Sequence, residues 1–110
     1  MGGNGIKPDP IQYCLFGLAA CYAATFVSIA TMEGADLKEL KVVAENQVDL
    51  SKSLGLSDNL IVEKITLTIE VKTDTLEDKI KEIEVMAKDR CPGVFCLTNP
   101  IPLETEIRKI

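Results

Sequence analysis

The side chains able to carry chemistry are four cysteines, Cys14, Cys21, Cys91 and Cys96, in a chain that contains no histidine. Without imidazole there is no Ser-His-Asp or Cys-His nucleophile, no His-ligated zinc and no imidazole acid–base catalyst. Thiols alone can attack an electrophile, cycle through oxidation states or bind a metal. Zinc is a poor fit, because the spacings C-x6-C and C-x4-C depart from the usual ligand pairs.

Spacing limits which thiols can meet. On one helix Cys14 and Cys21 face nearly the same way but stand roughly 10 Å apart along the axis, beyond the ~7 Å Cα separation that a disulfide tolerates. Cys91 and Cys96 flank Pro92-Gly93 and fall on different sides of a turn. An intrachain bridge therefore has to join the first helix to the 91–96 segment. Cys91, at the start of a helix beside Arg90, has the electrostatics that lower a thiol pKa. Cys21 lies mid-helix in apolar company, which raises it, so it needs a cation brought from elsewhere in the fold. Cys14 and Cys96 read as small apolar residues packed inside.

The elements that must position these groups are legible in the periodicity. Gly2, Gly3, Gly5, Pro8 and Pro10 make residues 1–10 a turn-rich lead-in. Asp9 is placed to cap a helix with Pro10 at its first position, running to about Glu33 and stopping at Gly34. No charge interrupts Ile11 to Met32. That length could span a bilayer, but Gln12, Thr25, Ser28 and Thr31 dilute it and no Lys/Arg cluster orients it, so it reads as a central helix covered on all sides by protein. Alternation predicts strands over 40–50 (Leu40, Val42, Ala44, Val48, Leu50 on one face) and 65–72 (Ile65, Leu67, Ile69, Val71), joined by the long segment 51–59. Asp74-Thr75-Leu76-Glu77 has the capping-box pattern before an amphipathic helix over 75–89. Cys91-Pro92 opens a short helix ending near Asn99-Pro100, and Ile101, Leu103 and Ile107 suggest a last strand. The result is a single α+β domain over residues 1–110. Three strands are a thin sheet for a buried helix plus a second one, and its edges stay open, so the chain is expected to form an obligate or intertwined homodimer.

Composition narrows the partners. Twelve basic residues against 17 acidic ones give a net charge of −5, and aromatics make up only 5% with no tryptophan. A nucleic-acid or anionic-membrane surface is not expected. No charged segment leads into a signal-peptide core, which makes the cytoplasm the expected compartment.

Two stretches, Leu18-Ala19-Ala20-Cys21-Tyr22-Ala23-Ala24-Thr25 on the long apolar helix and Ala87-Lys88-Asp89-Arg90-Cys91-Pro92 after the second, together with the element order and Leu97-Thr98-Asn99-Pro100-Ile101-Pro102 near the end, resemble the OsmC/Ohr family of osmotically inducible and organic-hydroperoxide-resistance proteins. The resemblance runs from Pro8 onward, without the strands with which family members begin, the pattern of a shortened member or a fragment. It implies an α+β intertwined homodimer with two sites at the subunit interface, no cofactor, and a thiol-dependent peroxidase reducing organic hydroperoxides. By matching positions Cys21 would be the peroxidatic thiolate and Cys91 the resolving thiol, with an external dithiol as reductant. In the family a glutamate near the helix start orients the arginine that ionises the first thiol. That position falls on Ile11 or Gln12 here, and Arg90 or a lysine of the partner subunit is left to supply the cation. The alternatives are a non-catalytic OsmC-like dimer binding a small apolar ligand or serving a structural role, and an interaction module with four inert cysteines.

Overall fold

The structure, a computed structural model, describes residues 10–110; the expected Asp9 cap and the lead-in before it lie outside the described residues. The order is α1 (Pro10–Met32), β1 (Leu37–Val48), β2 (Val62–Thr73), α2 (Glu77–Arg90) and α3 (Pro92–Thr98), an α+β chain as expected.

Helix α1 ends where glycine lets it. Gly34 has φ +74°, and the Ala35 N–H returns to the Ala30 carbonyl at 2.9 Å while the Gly34 N–H reaches Thr31 at 3.2 Å. These are the paired bonds of a left-handed helix stop, and Ala35 packs back on the core as such a stop favours. β1 and β2 pair antiparallel with Val42 opposite Ile69 and Ala44 opposite Leu67. The alternation expected for β2 holds along its length, with Leu67, Ile69 and Val71 packed on the core. In β1 a register shift between Asn46 and Val48 breaks the pattern, and Val48, expected on the inner face, is exposed.

The core is one stripe of α1, Leu18, Tyr22, Phe26, Ile29 and Ala30, closed by Ile83 and Ala87 of α2 and by Cys91. These positions recur at three- and four-residue spacing, so the stripe lies against the sheet and α2. The Tyr22 hydroxyl donates to the Glu84 carbonyl at 3.3 Å, tying α1 to α2, and Lys79 reaches back to Glu33 at 2.8 Å.

Three expectations need correction. α1 is not covered on all sides: the stripe opposite its buried face, with Tyr13 57% and Phe16 74% exposed, faces outward in the single chain. The capping box does not form, since Leu76 is the N-cap without a side-chain bond. The Asp74 carboxylate pairs instead with Lys38 at 2.6 Å, while Thr73 and Thr75 bond the backbone of Asp36. The residues after α3 form no strand. The sheet among the described residues has two strands; the tail pairs with neither of its free edges, and Leu103 and Ile107 are 87% and 96% exposed, so period-two apolarity alone does not make a strand. One chain therefore has an open shape, with a Cα radius of gyration of 17.6 Å against the ~13 Å usual for a compact domain of this length.

Candidate functional site

The corner between α2 and α3 builds the site. Cys91 ends one helix and begins the next: its N–H donates to the Ala87 carbonyl at 2.9 Å, and its own carbonyl accepts from Phe95 at 3.0 Å. Pro92 enforces the corner. A residue before proline is driven out of the helical region, and Cys91 sits at φ −70°, ψ 119°. A chain turning there cannot carry α2 onward, and it swings the Cys91 side chain into the core, where it is 0% exposed.

Facing it from α1 is Cys21. The Cys91 thiol donates toward the Cys21 sulfur with the two Sγ atoms 3.5 Å apart, and both are free thiols. Closing a bond of about 2.05 Å from that separation takes a small rotation of side chains already on facing elements. Gly93 packs directly against Cys21: a Cβ at that position would stand 3.4 Å from both the Cβ and the Sγ of Cys21 and 3.5 Å from Leu18, at van der Waals contact. The Gly93 N–H is directed at Cys21 and, as the largest single influence, lowers its pKa; burial and the neighbouring Cys91 and Cys96 outweigh it, so the thiol lies above the ordinary 9.0. The amide at the start of α3 thus serves Cys21, where the sequence pointed to Cys91 as its beneficiary. Tyr22, next in the chain, is buried and its phenol is pushed up to about 12 by that burial, reinforced by Glu84 and Cys91; it remains a protonated donor.

An elevated pKa has a measurable consequence. Below it, the thiolate fraction rises about tenfold per pH unit. Labelling of Cys21 by iodoacetamide, followed by peptide mass, is therefore expected to accelerate steadily through neutrality and still be rising at pH 9.0. A plateau near pH 7 would show a cation or donor that overrides burial.

The other residues singled out by sequence are placed differently. Arg90 is exposed, and its charge acts on Glu33; among the described residues no cation features among the groups that shift Cys21. Gln12 lies on an exposed part of α1, lining a groove with Phe16 and Ala44. It is about 13 Å along the helix axis from Cys21, so a single chain does not bring the two together. Cys14 and Cys96 are exposed, which corrects the expectation that they pack inside: Cys14 lies in the outward part of α1, and α3 buries no residue. Gly93 and the cleft beside it were not picked out by sequence. The Pro-Gly pair after Cys91 was the available signal. The cleft, of about 590 Å³, is bounded by Leu18 and Tyr22 of α1, Leu67 and Ile69 of β2, and Val94 and Leu97 of α3, with Lys64, Lys88, Glu63 and Glu84 also lining it.

Comparison with known proteins bears on the fold. The fold is similar to that of an OsmC like protein from Mycoplasma pneumoniae, with TM-score 0.76 and 23% identity over 88% of this chain and 68% of that one. It is also similar to an OsmC-like protein of unknown function from Vibrio cholerae, at TM-score 0.64 and 17% identity over 79% of this chain and 56% of the other. A third is an organic hydroperoxide resistance protein OsmC from Legionella pneumophila, described as a predicted redox protein and regulator of sulfide bond formation, at TM-score 0.63 and 18% identity over 87% and 66% of the two chains. No curated protein sequence matches. The family model for OsmC-like proteins matches residues 2–106, and the chain belongs to that family.

Proposed function

We propose that the chain is a thiol peroxidase that reduces organic hydroperoxides, with Cys21 as the attacking and Cys91 as the resolving thiol. The observation that carries this reading is the 3.5 Å approach of the two sulfurs across helices far apart in sequence. The Cys21 thiolate, supported by the Gly93 N–H, attacks the distal peroxide oxygen. The O–O bond breaks, the alkoxide leaves and takes a proton as the alcohol, and Cys21 is left as a sulfenic acid. The Cys91 sulfur then attacks the Cys21 sulfur, water departs and a disulfide forms. An external dithiol returns the two electrons by exchange, which suits a reducing compartment such as the cytoplasm. The cleft lined by Leu18 and Tyr22, the neighbours of Cys21 on α1, and by Val94 and Leu97 offers apolar wall for the alkyl part of the substrate. The second reading, an OsmC-like protein that binds a small apolar ligand without catalysis, draws on the raised Cys21 pKa.

The test is to treat reduced protein with cumene hydroperoxide and follow intact mass and peroxide. A loss of two hydrogens that maps to Cys21–Cys91, with catalytic peroxide consumption in the presence of a dithiol, is the expected result. Absence of both the bridge and the consumption overturns the reading in favour of the second.

The active form is proposed to be a homodimer. The outward stripe of α1 (Tyr13, Phe16 and Val27) and the tail leave large apolar side chains exposed in the single chain, and a second copy would cover them. Sedimentation is expected to give twice the chain mass at micromolar concentration; a monomer there removes the dimer.

A further inference from the structure

The two facing sulfurs form a chelate as well as a redox pair. Both are free thiols, with Sγ atoms 3.5 Å apart on elements that the core holds in place. Sulfur bonds to a soft centre are about 2.3 Å long, so a centre bent to about 100° spans sulfurs about 3.5 Å apart, whereas a linear one needs about 4.6 Å. The pair therefore fits a bent centre without moving either helix. Cys21 is half-buried and Cys91 is enclosed, so an incoming electrophile meets Cys21 first and Cys91 completes the ring from the core side.

The donor set stops at two. Among the described residues no group of three or more cysteines or carboxylates gathers to hold a metal ion, which leaves a tetrahedral zinc short of ligands. Two thiols can hold a soft centre that arrives with its remaining valence filled. Trivalent arsenic carrying one carbon substituent is such a centre: it exchanges two oxygens for two sulfurs and keeps its As–C bond. The surroundings suit the substituent. A Cβ on Gly93 would touch both Leu18 and the Cys21 sulfur, and Leu18 in turn lines the cleft of about 590 Å³ together with Tyr22, Val94 and Leu97. A phenyl-sized group on the arsenic would rest on these apolar side chains rather than in water.

We propose that Cys21 and Cys91 bind trivalent organic arsenicals as a two-sulfur chelate, with the carbon substituent in the cleft between α1, β2 and α3. In water the ligand is R–As(OH)2. The Cys21 sulfur displaces one hydroxyl and the Cys91 sulfur the other; the two thiol protons go to the departing oxygens, and two waters are released. Arsenic stays trivalent and both sulfurs keep the oxidation level of a thiol, so no electrons move and no co-reactant is needed. The second bond closes within the molecule, which gives the chelate its strength over a single thiol. Capture needs the two thiols and their spacing and makes no use of peroxide chemistry.

The experiment treats reduced protein with one equivalent of phenylarsine oxide, challenges it with increasing 2-mercaptoethanol, desalts it and blocks the remaining thiols with N-ethylmaleimide for intact mass and peptide mapping. The expected result is one phenylarsenic group per chain, with Cys14 and Cys96 labelled by the maleimide and Cys21 and Cys91 protected. The double variant Cys14→Ser/Cys96→Ser keeps the adduct, and 2,3-dimercaptopropanol removes it. Cys91→Ala is expected to lose its arsenic at about a hundredfold less monothiol than the wild type. Inorganic arsenite, which has no group for the cleft, is expected to leave at about tenfold less. No adduct, protection at Cys14 or Cys96 instead, or a Cys91→Ala adduct as resistant as that of the wild type overturns the chelate. Arsenite held as firmly as the phenyl compound overturns its assignment to organic arsenicals. Cumene hydroperoxide left unconsumed by a protein that captures the arsenical counts against the peroxidase reading alone; peroxide consumed by a protein that fails to capture it overturns the chelate alone.

Discussion

Cys21→Ser is expected to lower dithiol-dependent consumption of cumene hydroperoxide by roughly a thousandfold or more, because a serine hydroxyl does not ionise near neutrality and only the anion attacks. In transition-state terms that is about 4 kcal/mol. Cys91→Ala separates the two steps. Its first turnover still releases alcohol, since the attacking sulfur is intact. Closure is then lost, because the thiol 3.5 Å from Cys21 is gone. The sulfenic acid at Cys21 survives long enough to be trapped by dimedone, and with excess peroxide part of it climbs to the irreversible sulfinic acid. Cys91 is enclosed in the core, so alanine is preferred to serine there: a buried hydroxyl without a partner costs about 1–3 kcal/mol and would blur a kinetic loss with a folding one. Full activity in Cys21→Ser would place the chemistry on another sulfur, and circular dichroism of both variants establishes that the comparison is between folded proteins.

What the sequence revealed about this site, and what it did not, follows from how local each cause is. The stop at Gly34 depends on one residue and its immediate neighbours, and it is where the glycine predicts. The inner face of β2 depends on period-two alternation, which needs no knowledge of the partner. The capping box failed because Asp74 had a competitor that the local pattern cannot show: Lys38, distant in sequence, takes its carboxylate. The tail has the apolar period of a strand but pairs with neither free edge of the two-stranded sheet. Spacing alone required a bridge to cross from the first helix to the 91–96 segment, and it could not say which cysteine of each pair would meet. That choice is made by the Pro92 corner, which aims Cys91 inward onto Cys21. Cys96, read as packing, is exposed because α3 turns only Gly93 and Val94 toward α1 and the core.

The largest effect on stability is expected at Phe26. It is 0% exposed, in the middle of the buried stripe of α1, with its ring 6.1 Å from that of Tyr22 at a tilt of 37°. Truncation to alanine removes both the transfer energy of the ring and its contacts, and the cavity cannot collapse because Ile83 and Ala87 are held on a helix. The cost of such a change is about 3–5 kcal/mol, a large share of the 5–15 kcal/mol that typically holds a domain, and corresponds to a fall in melting temperature of roughly 15–30 °C. Phe16→Ala is the informative companion. Phe16 lies on the same helix but 74% exposed in the single chain, so on a free surface its loss is expected to change stability by no more than about 0.5 kcal/mol. If a second copy covers that stripe, truncation instead weakens association, and melting becomes more dependent on protein concentration than in the wild type. The pair therefore measures two things with one helix: Phe26→Ala reports the core of the chain, and melting of Phe16→Ala at several concentrations reports whether its opposite face is buried in the assembly. A Phe26→Ala protein that melts within a few degrees of the wild type would mean that the stripe packed on α2 is not what holds Cys21 against Cys91.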